Sequence, residues 1–349
     1  MDVSGDALSA RVEKTRIQRE GKKAKNKCAY RGCAEAAVGS HTISKERVLR
    51  SLAEGGKVLA PKVQLAGRDF WKKIAFAPQG IGDASVFRGF CDRHEMLFGA
   101  LDGVGVSTVQ DVLLQMYRTA SKFSFRARTA QLCHETSGLA NAGDRVEPAV
   151  SHLSLGAAAD FLAYVLEGES YTQQVLQAGS VISLQTHAGG QLGPEVHCRR
   201  LPFAVPAAIE TRFLLRLDRR VVEVFAVVIP EDGETMVMAM CDPSFSNRVR
   251  TQLRTDVAAV LFAERAFMTG GSFALSPSVA HGWGERKTRF VEEDYFFAFE
   301  RGFEEPLGYR LFDDVWLHLT GEVIALEELP TRDPIESRKR RMFANRFKF

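Results

Sequence analysis

CAYRGC at 28–33 and FCDRHE at 90–95 decide how this chain folds. Cys28 and Cys33 flank Ala29, Tyr30, Arg31 and Gly32, a turn-sized gap in which glycine eases the bend. Cys91 and His94 stand three apart, so a helix beginning at Cys91 projects both from one face of its first turn. The positive end of that helix also favours a Cys91 thiolate. Zinc takes four thiolate or imidazole ligands in a tetrahedron, and two tight pairs in this order supply them. The spacing therefore assigns Cys28, Cys33, Cys91 and His94 as ligands of a structural Zn2+.

The rest of the composition is ordinary. The chain has 349 residues, 45% hydrophobic and 26% charged, with a net charge of +3, which is enough to bury about two domains' worth of core. No run of about 18 apolar residues is present, so a membrane-spanning helix is not expected. The first residues are polar and basic rather than apolar, so the expected location is the cytoplasm, where thiols stay reduced. Cys133, Cys198 and Cys241 lack ligand-spaced neighbours and read as small buried hydrophobes.

Five segments follow from the pattern: a basic arm (1–27), a cysteine-bearing module (28–105), a helical stretch (106–178), an α+β region (179–330) and a basic tail (331–349). Within the module, Ser44 caps a helix through Val48, Leu49 and Leu52 that Gly55-Gly56 ends. VFRGFC (86–91) is a short strand entering a second helix. Helices are expected at 108–132, 155–178 and 246–264, where apolar residues recur at helical spacing. VISLQTHA (181–188), TRFLLRL (211–217), VVEVFAVVIP (221–230) and ETMVMAM (234–240) read as antiparallel strands. YFFAFERGF (295–303) and LFDDVWLHL (311–319) also look strand-like, and HGWGERKTRF (281–290) reads as an exposed polar loop. The expected fold class is α+β, with an N-terminal zinc-stabilised treble-clef module, a helical middle and a C-terminal antiparallel sheet.

His41 lies eight residues after Cys33, in GSHTISKERVL. Here the sequence resembles the zinc-containing HNH (ββα-metal) endonucleases over about residues 28–102. The resemblance matches Cys28, Cys33, Cys91 and His94 to the structural zinc ligands and His41 to the general base. It places Glu95 where the helix ligand of a catalytic Mg2+ or Mn2+ usually sits. It implies metal-assisted phosphodiester hydrolysis, in which a neutral imidazole takes a proton from water. By analogy it points to a role in defence against foreign DNA. The chain departs from the family at Ser40, which stands in place of an Asp, and Asp83 and Asp92 are alternative oxygen donors. SHTIS (40–44) and FCDRHE (90–95) also resemble segments of a group of uncharacterised bacterial proteins.

Three readings of His41 remain open: base of a DNA endonuclease, a neighbour that orients the zinc site in a non-catalytic binding or assembly protein, or a zinc ligand replacing one of the four. Both termini are basic. Residues 11–27 hold eight Lys/Arg against two Glu, and 331–349 hold seven against two acids. Lys22, Lys23, Lys25 and Lys27, with Arg338, Lys339, Arg340 and Arg341, are candidate contacts to nucleic-acid phosphates, and the aromatics of the tail are candidate stacking groups. The alternative is a solvated chain end. The sheet-rich half carries no phosphate loop or hydrolase motif and is a candidate partner or oligomer surface.

Overall fold

The computed structural model describes residues 27–66, 71–136, 159, 162, 163, 166, 175–188, 191–217, 220–269, 271–298, 303–322 and 328–346. The chain begins with β1 (Gly39–His41), a wide-wound turn α1 (Lys45–Leu49) and its continuation α2 (Arg50–Leu52). A hairpin follows, β2 (Lys57–Ala66) and β3 (Trp71–Gly80), then β4 (Val86–Arg88). Next come α3 (Asp92–Glu95), a tight turn at Met96–Phe98, α4 (Gly99–Val104) and the long α5 (Val109–Thr136). The strands β5 (Val181–Ala188), β6 (Gln191–Leu201), β7 (Ala207–Leu217), β8 (Arg220–Glu231) and β9 (Glu234–Cys241) run consecutively. The remaining elements are α6 (Ser246–Gln252), α7 (Asp256–Phe267), β10 (Ser272–Leu275), α8 (Pro277–Phe296), α9 (Asp313–Thr320) and α10 (Ile335–Arg346).

An antiparallel sheet in the order β3-β2-β10-β7-β8-β9-β6-β5 organises the molecule. Its faces explain the unbroken apolar run in β8. Val224, Ala226 and Val228 pack under α7 and α8 with Phe262, Ala263 and Trp283. The alternate residues Phe225, Val227 and Ile229 pack with Leu113 and Met116 of α5 and with the cysteine-bearing segment. A strand buried on both faces needs no polar alternation, and each such side chain contributes about 1.5–3 kcal/mol.

Residues 28–105 do not stay together as one unit. The β2–β3 hairpin leaves the cysteine-bearing stretch and joins the large sheet through Leu59 opposite Leu275 of β10. What remains is a small second sheet, β1 with β4, in which His41 faces Val86 and Ser40 faces Phe87. Pro61 and Pro78 lie inside the hairpin strands, which hides it from a strand pattern search.

The helix expected at 108–132 is α5, and strands 181–188, 211–217, 221–230 and 234–240 all lie in β5, β7, β8 and β9. Four expectations are corrected. The helix expected at 246–264 is two, because Thr255 is extended and caps α7 by accepting from the Ala258 N–H at 3.1 Å. HGWGERKTRF lies within α8, where Pro277 takes the first turn, and the helix kinks at Gly284, which has φ 70°. The strand-like LFDDVWLHL forms α9, with Asp313 and Asp314 at its positive end and Val315 and Trp316 turned inward, and Tyr295-Phe296 close α8. Of the helix expected at 155–178, the positions 159, 162, 163 and 166 are described and helical, and the remainder up to 174 lies outside the described residues. Cys198 and Cys241 are buried as expected, and the Cys133 side chain lies outside the described residues. No helix among the described residues is long and apolar enough to cross a membrane.

Candidate metal centre and the histidine beside it

The turn after Cys28 closes with the Cys33 N–H on the Tyr30 carbonyl at 3.1 Å, and Gly32 takes the left-handed conformation the bend requires (φ 73°). The Ala29 N–H donates to the Gly89 carbonyl and Val38 N–H to the Phe90 carbonyl, which lays this turn against the start of α3. Gly89 leaves room for the Phe87 ring, from which a Cβ there would sit 2.2 Å. Cys91 is the N-cap of α3 and His94 lies in its first turn, as the three-residue spacing predicts.

Four ligand atoms converge. The Sγ atoms of Cys28, Cys33 and Cys91 and the Nδ1 of His94 all lie within 4.8 Å of one another. Cys33 Sγ is 3.9 Å from Cys91 Sγ, and His94 Nδ1 is 3.4 Å from Cys28 Sγ and 3.2 Å from Cys91 Sγ. A tetrahedral zinc site separates its sulfurs by about 3.8 Å and sulfur from nitrogen by about 3.5 Å. Three thiols and one imidazole at these distances can hold a metal such as zinc. The Tyr30 ring stacks on His94, centroids 3.9 Å apart, and fixes the imidazole plane. Burial pushes the Cys28 thiol up to about 11, partly offset by N–H donors from Cys91 and Tyr30 at 3.3 and 3.4 Å. The Cys33 thiol is lowered, chiefly by the Glu35 N–H.

His41 ends β1, half-buried, with Nε2 3.3 Å from the Ile81 carbonyl. A carbonyl can only accept, so Nε2 carries the proton and Nδ1 keeps the lone pair. Burial lowers the pKa of His41; the Ile81 bond opposes this, and the positive charges of Arg118 and Lys45 add to it. The imidazole is therefore neutral at pH 7.

Glu95 is not free to serve as sequence reasoning assigned it. Its Oε2 accepts from Ser40 Oγ at 2.6 Å and its Oε1 from Arg118 Nη2 at 2.7 Å. Asp102 of α4 holds the same guanidinium, Oδ1 to Nη1 at 2.8 Å and Oδ2 to Nη2 at 3.0 Å. Burial opposes the charge of Arg118, but Asp102 and Glu95 outweigh it and raise its pKa. A divalent ion needs free hard oxygens, and the four carboxylate oxygens here are all engaged. A catalytic Mg2+ or Mn2+ does not fit at Glu95. The alternative donors Asp83 and Asp92 are exposed, and the carboxylate whose charge acts on His41 is that of Asp102.

A second network behind His41 escaped the sequence reading. Thr42 Oγ1 donates to Glu210 Oε2 of β7 at 2.5 Å, and Lys122 Nζ donates to both Thr42 Oγ1 and Glu210. Thr119 Oγ1 donates to Glu210 Oε1 at 3.1 Å, and Gln115 Nε2 donates to the Thr42 carbonyl at 2.9 Å. The available signal was the polar set Gln115, Arg118, Thr119 and Lys122, recurring every three or four residues within the apolar α5.

The basic ends fare differently. Lys22, Lys23 and Lys25 lie outside the described residues, and Lys27 is exposed beside the metal cluster. The tail is corrected: it folds as α10. Arg338 is buried with its Nη2 3.1 Å from Asp294, Lys339 pairs with Glu336 and Arg341 with Asp333. A buried carboxylate captures Arg338, so of the four tail cations Arg340 is the one exposed with no carboxylate ion-paired to it among the described residues. No protein-family model, curated protein or solved structure matches the chain.

Proposed function

We propose that this protein acts on nucleic acid as an HNH-like endonuclease, with His41 as general base in a zinc-stabilised ββα module. The observation that carries the reading is the His41 imidazole: neutral, with its tautomer set by the Ile81 carbonyl, on a strand joined by Ser40 and Glu95 to the helix that bears the metal ligands. The order of parts supports it: cysteine turn, histidine strand, partner strand, then a helix with the second ligand pair, the order a treble clef would have. Zinc, when bound, joins the Cys28–Cys33 turn to α3 and supplies folding energy.

His41 Nδ1 takes a proton from water as the water oxygen bonds to phosphorus and the P–O bond to the leaving oxygen breaks, that oxygen keeping the bonding pair and taking a proton from solvent. The Ile81 carbonyl holds the ring and stabilises the imidazolium that forms. DNA is the proposed substrate and the cytoplasm the proposed site of action, where reduced thiols suit a Cys3His centre; defence against foreign DNA is a role such a nuclease would serve. Nicking of supercoiled plasmid by the zinc-loaded protein, lost on His41→Ala with the zinc content unchanged, is the test. Nicking indifferent to that change removes His41 as the base.

A second reading has its own observation. Ser40 stands where the resembled family has an Asp, and it spends its hydroxyl on Glu95, which favours a non-catalytic module whose C-terminal sheet binds a protein partner or second copy. Absence of nicking under any divalent ion, with retained DNA or protein binding, selects it.

A further inference from the structure

Resting on the reading of His41 as a base, we infer that Arg118 is the resident cation of its site: a positioning residue that occupies the place between Glu95 and Asp102 where a divalent ion would bridge two carboxylates. Three elements meet there, α3 through Glu95, α4 through Asp102 and α5 through Arg118. A single nitrogen, Arg118 Nη2, is bonded to both carboxylates, at 2.7 and 3.0 Å. A bridging metal ion would need these same oxygens.

The guanidinium is not a loose surface group. Arg118 is 1% exposed, and the ring of Phe98 covers its face at 4.5 Å. An arginine cannot lose its proton to make room for a second cation, and expelling it would strand a buried charge. Ser40 holds the remaining Glu95 oxygen. Glu95 and Asp102 therefore carry no catalytic metal. They anchor Arg118, which keeps α3 and α4 in register with the strand bearing His41.

Mn2+ titration of zinc-loaded protein, followed by the EPR signal of free Mn2+, tests this without nucleic acid. The wild type and Glu95→Gln are expected to deplete the signal equally. Arg118→Gln frees both carboxylates and is expected to bind one Mn2+ about tenfold or more tightly than the wild type. Arg118→Lys, which keeps the charge, is expected not to gain that site, and adding Glu95→Gln to Arg118→Gln is expected to abolish it. One Mn2+ bound by the wild type and lost on Glu95→Gln overturns the inference. So does a folded Arg118→Gln protein that gains no Mn2+. Should Arg118→Gln fail to fold, the comparison of wild type with Glu95→Gln decides the matter alone. Failure of the nuclease reading shows separately, as plasmid nicking indifferent to His41→Ala.

Discussion

Replacing Glu210 by Gln keeps the volume of the side chain and removes its charge, which isolates the ammonium of Lys122. Lys122 is 0% exposed and Glu210 1%, and the Lys122 Nζ has Thr42 Oγ1 and Glu210 as its partners. Removing one partner of a buried pair costs about 3–5 kcal/mol, because the other charge is left without compensation. Glu210→Gln is expected to lose that much in urea denaturation at pH 7. The double variant Glu210→Leu/Lys122→Met removes both charges and is expected to recover most of the loss. Burial lowers the pKa of Lys122 from its ordinary 10.5, against the pull of Glu210. A lysine with a depressed folded-state pKa binds fewer protons folded than unfolded, so stability rises as pH climbs through the folded value towards 10.5. Without Glu210 that folded value falls further, and the deficit of Glu210→Gln should shrink on raising the pH from 7 to 9. A loss below about 1 kcal/mol, or one that grows with pH, would refute a dry, paired Lys122.

Cys91→Ser is expected to abolish stoichiometric zinc in elemental analysis and to expose the 28–38 turn to proteolysis, since the metal joins that turn to α3; zinc affinity should also fall on acidification, as thiolates and imidazole must be deprotonated to bind. His41→Ala is expected to slow plasmid nicking about a hundredfold or more. The wild-type rate should fall as His41 protonates in acid, with its midpoint below 6.5 because burial lowers that pKa, and stay level from pH 7 to 8. Arg338→Ala removes one of the ion pairs of the fully buried Asp294, which also pairs with Arg332, and is expected to lower stability by about 3 kcal/mol in a thermal melt while leaving DNA retention unchanged.

The Cys3His cluster is legible because coordination imposes spacing: Cys28, Cys33, Cys91 and His94 come as tight pairs, and the fold brings them together where they could hold a metal. Strands β5, β7, β8 and β9 are legible because β-branched apolar runs lie between turn residues, whereas the similar run at 311–319 folds as α9, since a short apolar run alone does not separate strand from buried helix. The hold of Arg118 on Glu95 is not legible, because a sequence shows which carboxylate lies near a site but not which cation reaches it; Arg118 comes from 23 positions further along. The β2–β3 hairpin was missed because its partner, β10, lies some two hundred residues away, and its prolines imitate a loop. Arg338 read as a phosphate contact because a run of cations looks solvated until a buried Asp294 is found to face it.

The position of that hairpin has a consequence for how the protein is made. Synthesis delivers the cysteines, His41 and α3 within the first hundred residues, so the ion can be captured early. Yet the loop between the histidine strand and the metal helix holds two long ribbons whose neighbour, Leu275, leaves the ribosome much later. Until then the edge of Lys57–Ala66 is bare and open to the wrong pairing. A fragment ending before residue 272 would therefore carry all four cluster side chains and an unsatisfied strand, and should clump rather than fold.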